Sequence, residues 1–186
     1  MAHSRRKLLS ALVSAGVSIP FFDFAAIAAD TAKEVDQHVG TVLKKLYQTK
    51  PLARDLGARA KGILVFPKIT KAGFLVGGAY GEGELLRNGK TVGYYSSIAG
   101  SYGLQVGVQW FGYALFLMTD AALQYLDNSD GWEIGLGPSV VVVDEGMAKR
   151  HSSTTLTQDA YAFIFNQKGL MAGLGIEGSK ISKMRS

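Results

Sequence analysis

The sequence predicts an α+β fold: N-terminal helices packed on a glycine-rich, strongly curved antiparallel β-sheet or partly closed barrel. Apolar residues between positions 30 and 48 recur at helical spacing, whereas from Gly62 onward they recur at the spacing of strands. Twenty of the 23 glycines lie in that second region. Glycine weakens a strand unless the backbone bends sharply or something approaches it closely, so this density is itself a sign of curvature.

Residues 1–28 read as an export leader and stand outside the fold. Arg5, Arg6 and Lys7 precede an apolar stretch from Leu8 to Ile19, and Ala26-Ile27-Ala28 suits a signal peptidase, leaving a chain that begins near Ala29 or Asp30. The 12-residue apolar run is short of the roughly 20 needed to span a bilayer. The Arg pair followed by Leu8-Leu9 fits either a twin-arginine or an ordinary secretory signal. Both place the product in a bacterial periplasm or outside the cell. Residues 29–186 then form a single domain.

Within that domain, Val35, Val39, Val42, Leu43 and Leu46 form one helical stripe, with Lys33, Asp36, Lys44 and Lys45 off it. Pro51 suits a first helical position, and Leu52 to Ala60 makes a second, short helix. Ile63-Leu64-Val65-Phe66 reads as a strand buried on both sides and ended by Pro67. Strands follow at Phe74 to Tyr80 and Gly83 to Leu86. Asn88-Gly89 marks a hairpin whose returning strand is Thr91 to Ser97. Tyr102 to Trp110 alternates most clearly. Tyr102, Leu104, Val106, Val108 and Trp110 are expected to face inward, with Gly103, Gln105, Gly107 and Gln109 outward. Thr119-Asp120 suits the cap of a helix through Ala121, Ala122, Leu123 and Leu126. Asp159 to Phe165 and Leu170 to Ile176 close the chain as strands joined through Asn166 to Gly169.

Composition narrows the chemistry. The chain has 186 residues, 47% hydrophobic and 19% charged, which suits one core and argues against disorder. It has no cysteine, which excludes disulfide frameworks, thiolate metal sites, cysteine nucleophiles and lipid attachment at cysteine. His3, His38 and His151 are too scattered for a histidine metal site. Neither a metal nor a cofactor is expected.

Charge is strongly segregated. From Lys44 to Lys71 eight cations (Lys44, Lys45, Lys50, Arg54, Arg59, Lys61, Lys68, Lys71) stand against Asp55 alone, whereas Ala72 to Glu145 carries eight carboxylates and two cations. A basic block of this kind fits an anionic partner, most simply one bearing phosphate. An exported protein seldom meets nucleic acid, so lipid headgroups are the better match.

Other motifs are weaker. Gly78 to Gly83 has the glycine density of a phosphate loop but lacks the strand–turn–helix setting and the Lys-Ser/Thr ending. Gly135-Leu136-Gly137 is stopped by Pro138. His151-Ser152-Ser153 with Asp159 holds the groups of a catalytic triad but no nucleophile elbow. Glu82 with Glu84, and Asp144 with Glu145, read as exposed carboxylates in turns.

Ala60-Lys61-Gly62-Ile63-Leu64-Val65-Phe66-Pro67 resembles the opening signature of the SYLF-domain, lipid-binding and actin-regulator family. The resemblance continues through Gly77-Gly78-Ala79-Tyr80-Gly81-Glu82-Gly83, Ala99 to Gly107, Gly137-Pro138-Ser139-Val140 and Lys168 to Ser179, in family order from about Ala32. It implies a non-enzymatic domain that binds membrane phospholipids, with phosphoinositides the ligands in eukaryotic members. Some of those also regulate actin and carry a proline-motif-binding domain. The export leader makes an actin partner unexpected here, and no catalytic set transfers.

The expected mechanism is a cationic helical face formed by the eight residues Lys44 to Lys71, meeting anionic headgroups. Aromatic side chains would anchor beside it. Because Trp110 belongs to the inward set, Phe111 and Tyr113, of opposite parity, are the candidates. Tyr161, Phe163 and Phe165 share a strand face and read as core. An envelope structural or protein-interaction module is the rival class, and a hydrolase using His151 a third.

Overall fold

The structure is a computed structural model, and it describes residues 32–74, 76–102, 107–128, 131–144, 157–169, 176 and 178–184. Helices α1 (Ala32–Thr49) and α2 (Pro51–Gly57) come first. Strands β1 (Gly62–Phe74), β2 (Val76–Arg87), β3 (Lys90–Tyr102) and β4 (Gly107–Leu117) follow. Helix α3 (Asp120–Asn128), β5 (Trp132–Glu133), β6 (Val140–Val142), β7 (Ala160–Gly169) and β8 (Lys180–Lys183) complete the order. The eight strands make one sheet, β5-β8-β3-β2-β1-β4-β7-β6, curled into a half-barrel. The α+β class is therefore borne out. One detail is corrected: β6 runs parallel to β7, so the sheet is mixed.

The local chemistry explains the elements. Val35, Val39 and Leu46 are buried, as the helical stripe requires. Pro51 opens α2, where its missing N–H costs nothing. Asn88 and Gly89, at φ 50° and 72°, form the two-residue turn between β2 and β3. Thr119 caps α3, its Oγ1 accepting from the Ala122 N–H at 3.1 Å.

Pro67, however, does not end its strand. The β1 pairing with both neighbours shifts around it, so it occupies a bulge where no ladder N–H is needed, and β1 continues to Phe74. Asn166 to Gly169 likewise stays within β7. Asn166 takes φ 53° where the β4–β7 register slips. The final strand, β8, pairs with β3 rather than with β7. Positions 103–106 and 170–175, read as strand from their alternation, lie outside the described residues.

Two apolar layers cover the sheet. On one face Val65, Ala114, Phe116, Tyr161 and Phe163 pack against Val39, Leu46, Ala53 and Leu56 of α1 and α2. On the other, Leu64, Phe66, Ile69, Leu85, Phe111 and Leu115 pack with Leu123 and Leu126 of α3 and with Trp132 and Ile134.

The direction of curl follows from one hydrogen bond. Tyr113 on β4 donates to Ser97 Oγ on β3 at 2.8 Å, although β1 and β2 lie between them. Three strand spacings on a flat sheet are about 14 Å, beyond the reach of these side chains. The sheet is therefore concave on the α3 side and convex on the side of α1 and α2. Glycines on β2 permit this: at Gly81 and Gly83 a Cβ would run into backbone atoms of β1.

The Tyr113 hydroxyl is fully buried, and that burial raises its pKa. Tyr113→Phe is expected to cost about 1 kcal/mol. Ser97→Ala should cost about 1–3 kcal/mol, because it strands the buried phenol without its acceptor. Denaturation midpoints measure both.

Candidate lipid-contact surface

Helix α1 presents Lys44 and Lys45 to solvent because its apolar stripe is committed to the sheet. Lys50 joins α1 to α2, half-buried, and its carbonyl accepts from the Ala53 N–H at 3.0 Å. Arg54 is exposed on α2, and Arg59 is exposed just beyond it. Lys44, Lys45, Lys50 and Arg54 thus fall within two turns on either side of one bend, a compact cationic stretch.

The remaining cations leave it. Lys61, at the foot of β1, pairs with Asp120 in the first turn of α3 at 3.5 Å. Both partners are well exposed, so the pair contributes little to stability. Lys68 and Lys71 belong to β1 itself. Phe66 and Ile69 both face the concave core across the bulge, so strand alternation puts Lys71 on the concave side and Lys68 on the convex side. The eight cations do not form a single helical face.

The aromatic expectation is reversed. Phe111 is 5% exposed and Tyr113 1%, both in the concave core. Val108 and Trp110, expected inside, are 43% and 41% exposed on the convex side. The split by parity was right, but the side assigned to each set was not. Sequence reasoning could have found this by placing the strand window at 107–117. There Phe111, Tyr113, Leu115 and Leu117 form an unbroken apolar run, whereas Gly112 interrupts the even set after Val108 and Trp110. Tyr161 and Phe163 are buried against the helices as expected.

Glu82 and Glu84 are corrected as well. Neither lies in an exposed turn; they are 8% and 3% exposed on the convex side of β2, beside the helices. Glu82 accepts from the Tyr80 hydroxyl at 2.6 Å. Burial, reinforced by that carboxylate, pushes the Tyr80 phenol up to about 12. Glu84 accepts from Thr91 Oγ1 at 3.1 Å and faces Asp36 of α1, which in turn accepts from the Tyr94 hydroxyl at 2.9 Å. Burial first, and then the Asp36 carboxyl, pushes Glu84 up to about 7.

Asp159 has a structural task. It accepts from the Ser139 N–H and hydroxyl, both at 3.0 Å, and from Thr119 Oγ1 at 3.1 Å. Those bonds hold its carboxyl below the usual carboxylate range and clamp the entries of β6, β7 and α3 together. His151, its imagined triad partner, lies outside the described residues. Among the described residues no helix is long and apolar enough to cross a membrane, a statement that does not bear on strands.

Residues 98–186 match the family model described as Ysc84, Las17-binding protein actin regulator. That stretch is similar to the SYLF (Ysc84) domain and makes up 89 of the 186 residues. The match runs from the second half of β3 to the end of the chain, so it takes in Trp110, Phe111 and Tyr113 but not the basic helices, β1 or β2. No curated protein matches the chain. SYLF domains form a family of binding domains, known for lipid and actin-related binding, and not an enzyme family.

Proposed function

We propose that this protein is a non-enzymatic membrane-binding module that recognises anionic phospholipid headgroups through the cations of α1 and α2. The observation that carries the reading is the exposure of Lys44, Lys45 and Arg54 on helices whose apolar sides are already committed to the sheet. Among the described residues no carboxylate pairs with these three. Each such charge near an anionic surface is worth about 1 kcal/mol, and the attraction fades with salt. With residues 1–28 acting as an export leader, the protein would sit on a membrane facing the periplasm or the cell exterior, peripherally attached.

Co-sedimentation of the purified protein with phosphatidylglycerol-containing vesicles tests the reading. Reversing Lys44, Lys45, Arg54 and Arg59 to glutamate should weaken partitioning at least tenfold, and raised salt should do the same to the unmodified protein. Binding indifferent to both changes would sink it, and capture of an envelope protein in the absence of lipid would favour an interaction module instead.

A further inference from the structure

Helix α1 covers only part of the convex face. Its N-terminal end is tied to β3 by Tyr94 and Asp36, and Tyr47 near its C-terminal end packs against Phe116 on β4, with ring centroids 6.4 Å apart. It therefore crosses the strands over Tyr94, Glu84, Val65, Ala114 and Phe163, residues in register with one another or nearly so. Toward the β1–β2 hairpin the convex face emerges from beneath the helices.

The ladder registers define what lies there. Lys180 is opposite Ile98, Ile98 opposite Tyr80, Tyr80 opposite Thr70, Thr70 opposite Trp110, and Trp110 opposite Lys168. This cross-strand row covers six of the eight strands, with Lys180 and Lys168 flanking Ile98, Tyr80, Thr70 and Trp110. Ile98 is 54% exposed and Trp110 41%, while Tyr80 and Thr70 are half-buried. Val108 extends the patch beside Trp110, and Lys68 adds a third cation on the same face. No exposed carboxylate stands between the two lysines; the exposed Glu133 of β5 lies beyond them, opposite Lys180. Glu82, the nearest acid along β2, is buried and accepts from Tyr80.

We infer that this convex row is the surface that enters the headgroup–acyl boundary of an anionic bilayer, with Trp110 and Ile98 inserted and Lys168, Lys180 and Lys68 bound to phosphates. The inference deepens the lipid-binding reading above and depends on it. Three features choose a bilayer as the occupant. Amphipathic aromatic rings settle at headgroup depth. Lysines carry apolar stems along the boundary and place their ammonium groups among the phosphates. The row spans about 24 Å at one strand spacing per step, too wide for a single small ligand and suited to an extended surface. Convexity brings the middle of the row forward and leaves the terminal lysines to reach back to headgroups.

The protein contains its own probe. Of its two tryptophans, Trp132 is fully buried and Trp110 is exposed. Mixing the purified protein with phosphatidylglycerol-containing vesicles whose phosphatidylcholine chains are brominated should quench and blue-shift Trp110 emission. The Trp110→Phe variant, which leaves Trp132 alone, should show neither change. Ile98→Glu with Trp110→Glu should lower vesicle partitioning at least tenfold with an unchanged circular dichroism spectrum. If the unmodified protein sediments with these vesicles while Trp110 stays unquenched and the double variant binds normally, the row is wrong and the lipid-binding reading stands. If the unmodified protein does not bind anionic vesicles at all, both fall. Concentration-dependent dimerisation that shields Trp110 without lipid would assign the row to a second copy and overturn the inference.

Discussion

Gly83→Ala is expected to destabilise the protein by roughly 3 kcal/mol or more, the upper range for forcing an extra methyl into a packed interior. Gly83 lies in the middle of β2 on the concave side, against the bulge of β1. A Cβ there would be driven into the Val65 carbonyl oxygen and would sit 2.8 Å from Phe66 Cδ1. Neither neighbour can yield: the carbonyl is backbone inside a ladder, and Phe66 is fully buried against Tyr113, with ring centroids 4.8 Å apart. Gly40→Ala supplies the contrast. Gly40 lies inside α1 with nothing within 4 Å of a Cβ, so alanine there should stabilise the protein by about 1 kcal/mol through helix propensity. Urea midpoints at constant slope read both changes. A Gly83→Ala protein within about 1 kcal/mol of the original would mean that the sheet does not curl as tightly as described.

The same curvature separates what the sequence announces from what it conceals. Helix α1, the Asn88-Gly89 turn, the capped α3 and the glycine-rich curved sheet are all set by local chemistry, so spacing and turn residues reveal them. The side to which a strand turns each set of residues is settled elsewhere. Val108 and Trp110 are as apolar as a core requires, yet they lie beyond the end of the helical cover, whereas Phe111 and Tyr113 face the closed side. Period-2 alternation divides a strand into two sets and does not say which set meets a second layer. Pro67 misleads for a related reason: as a lone residue it reads as a stop, and only the partner strands reveal the bulge that accommodates it.

The candidate surface was legible in the same uneven way. The basic block stands out by composition, and its helical members do end exposed. Which face Lys68 and Lys71 each take depends on the bulge at Pro67, which inverts the alternation that would otherwise be counted from Phe66. The row from Lys180 to Lys168 unites residues up to 110 positions apart in the chain, from Thr70 to Lys180. No window along the sequence can assemble it.

Stability should fall as pH rises from about 4.5 to 7, because of Glu84. The folded protein raises this acid from an ordinary value near 4.5 to about 7, chiefly by burial and then through the adjacent Asp36 carboxyl; the Thr91 hydroxyl opposes the shift by donating to the ionised form. A raised acid means that the folded state holds its proton more tightly than the unfolded state does. The unfolded chain binds fewer protons between about pH 4.5 and 7, so unfolding becomes easier across that window and levels off above it. At full strength the shift corresponds to about 3 kcal/mol, and solvent screening reduces the expected loss to roughly 1–2 kcal/mol. Asp159 acts at the other end of the scale. Its depressed carboxyl stabilises the fold above the usual carboxylate range, and that contribution is lost as pH falls through its folded value. A stability profile should therefore peak on the mildly acidic side of neutrality. Glu84→Gln keeps a donor toward Asp36 and removes the titration, so its profile should be flat from the peak up to about pH 8. A profile of the unmodified protein that rises or stays level between about pH 4.5 and 7, or a slope that survives Glu84→Gln, would contradict the raised acid at Glu84.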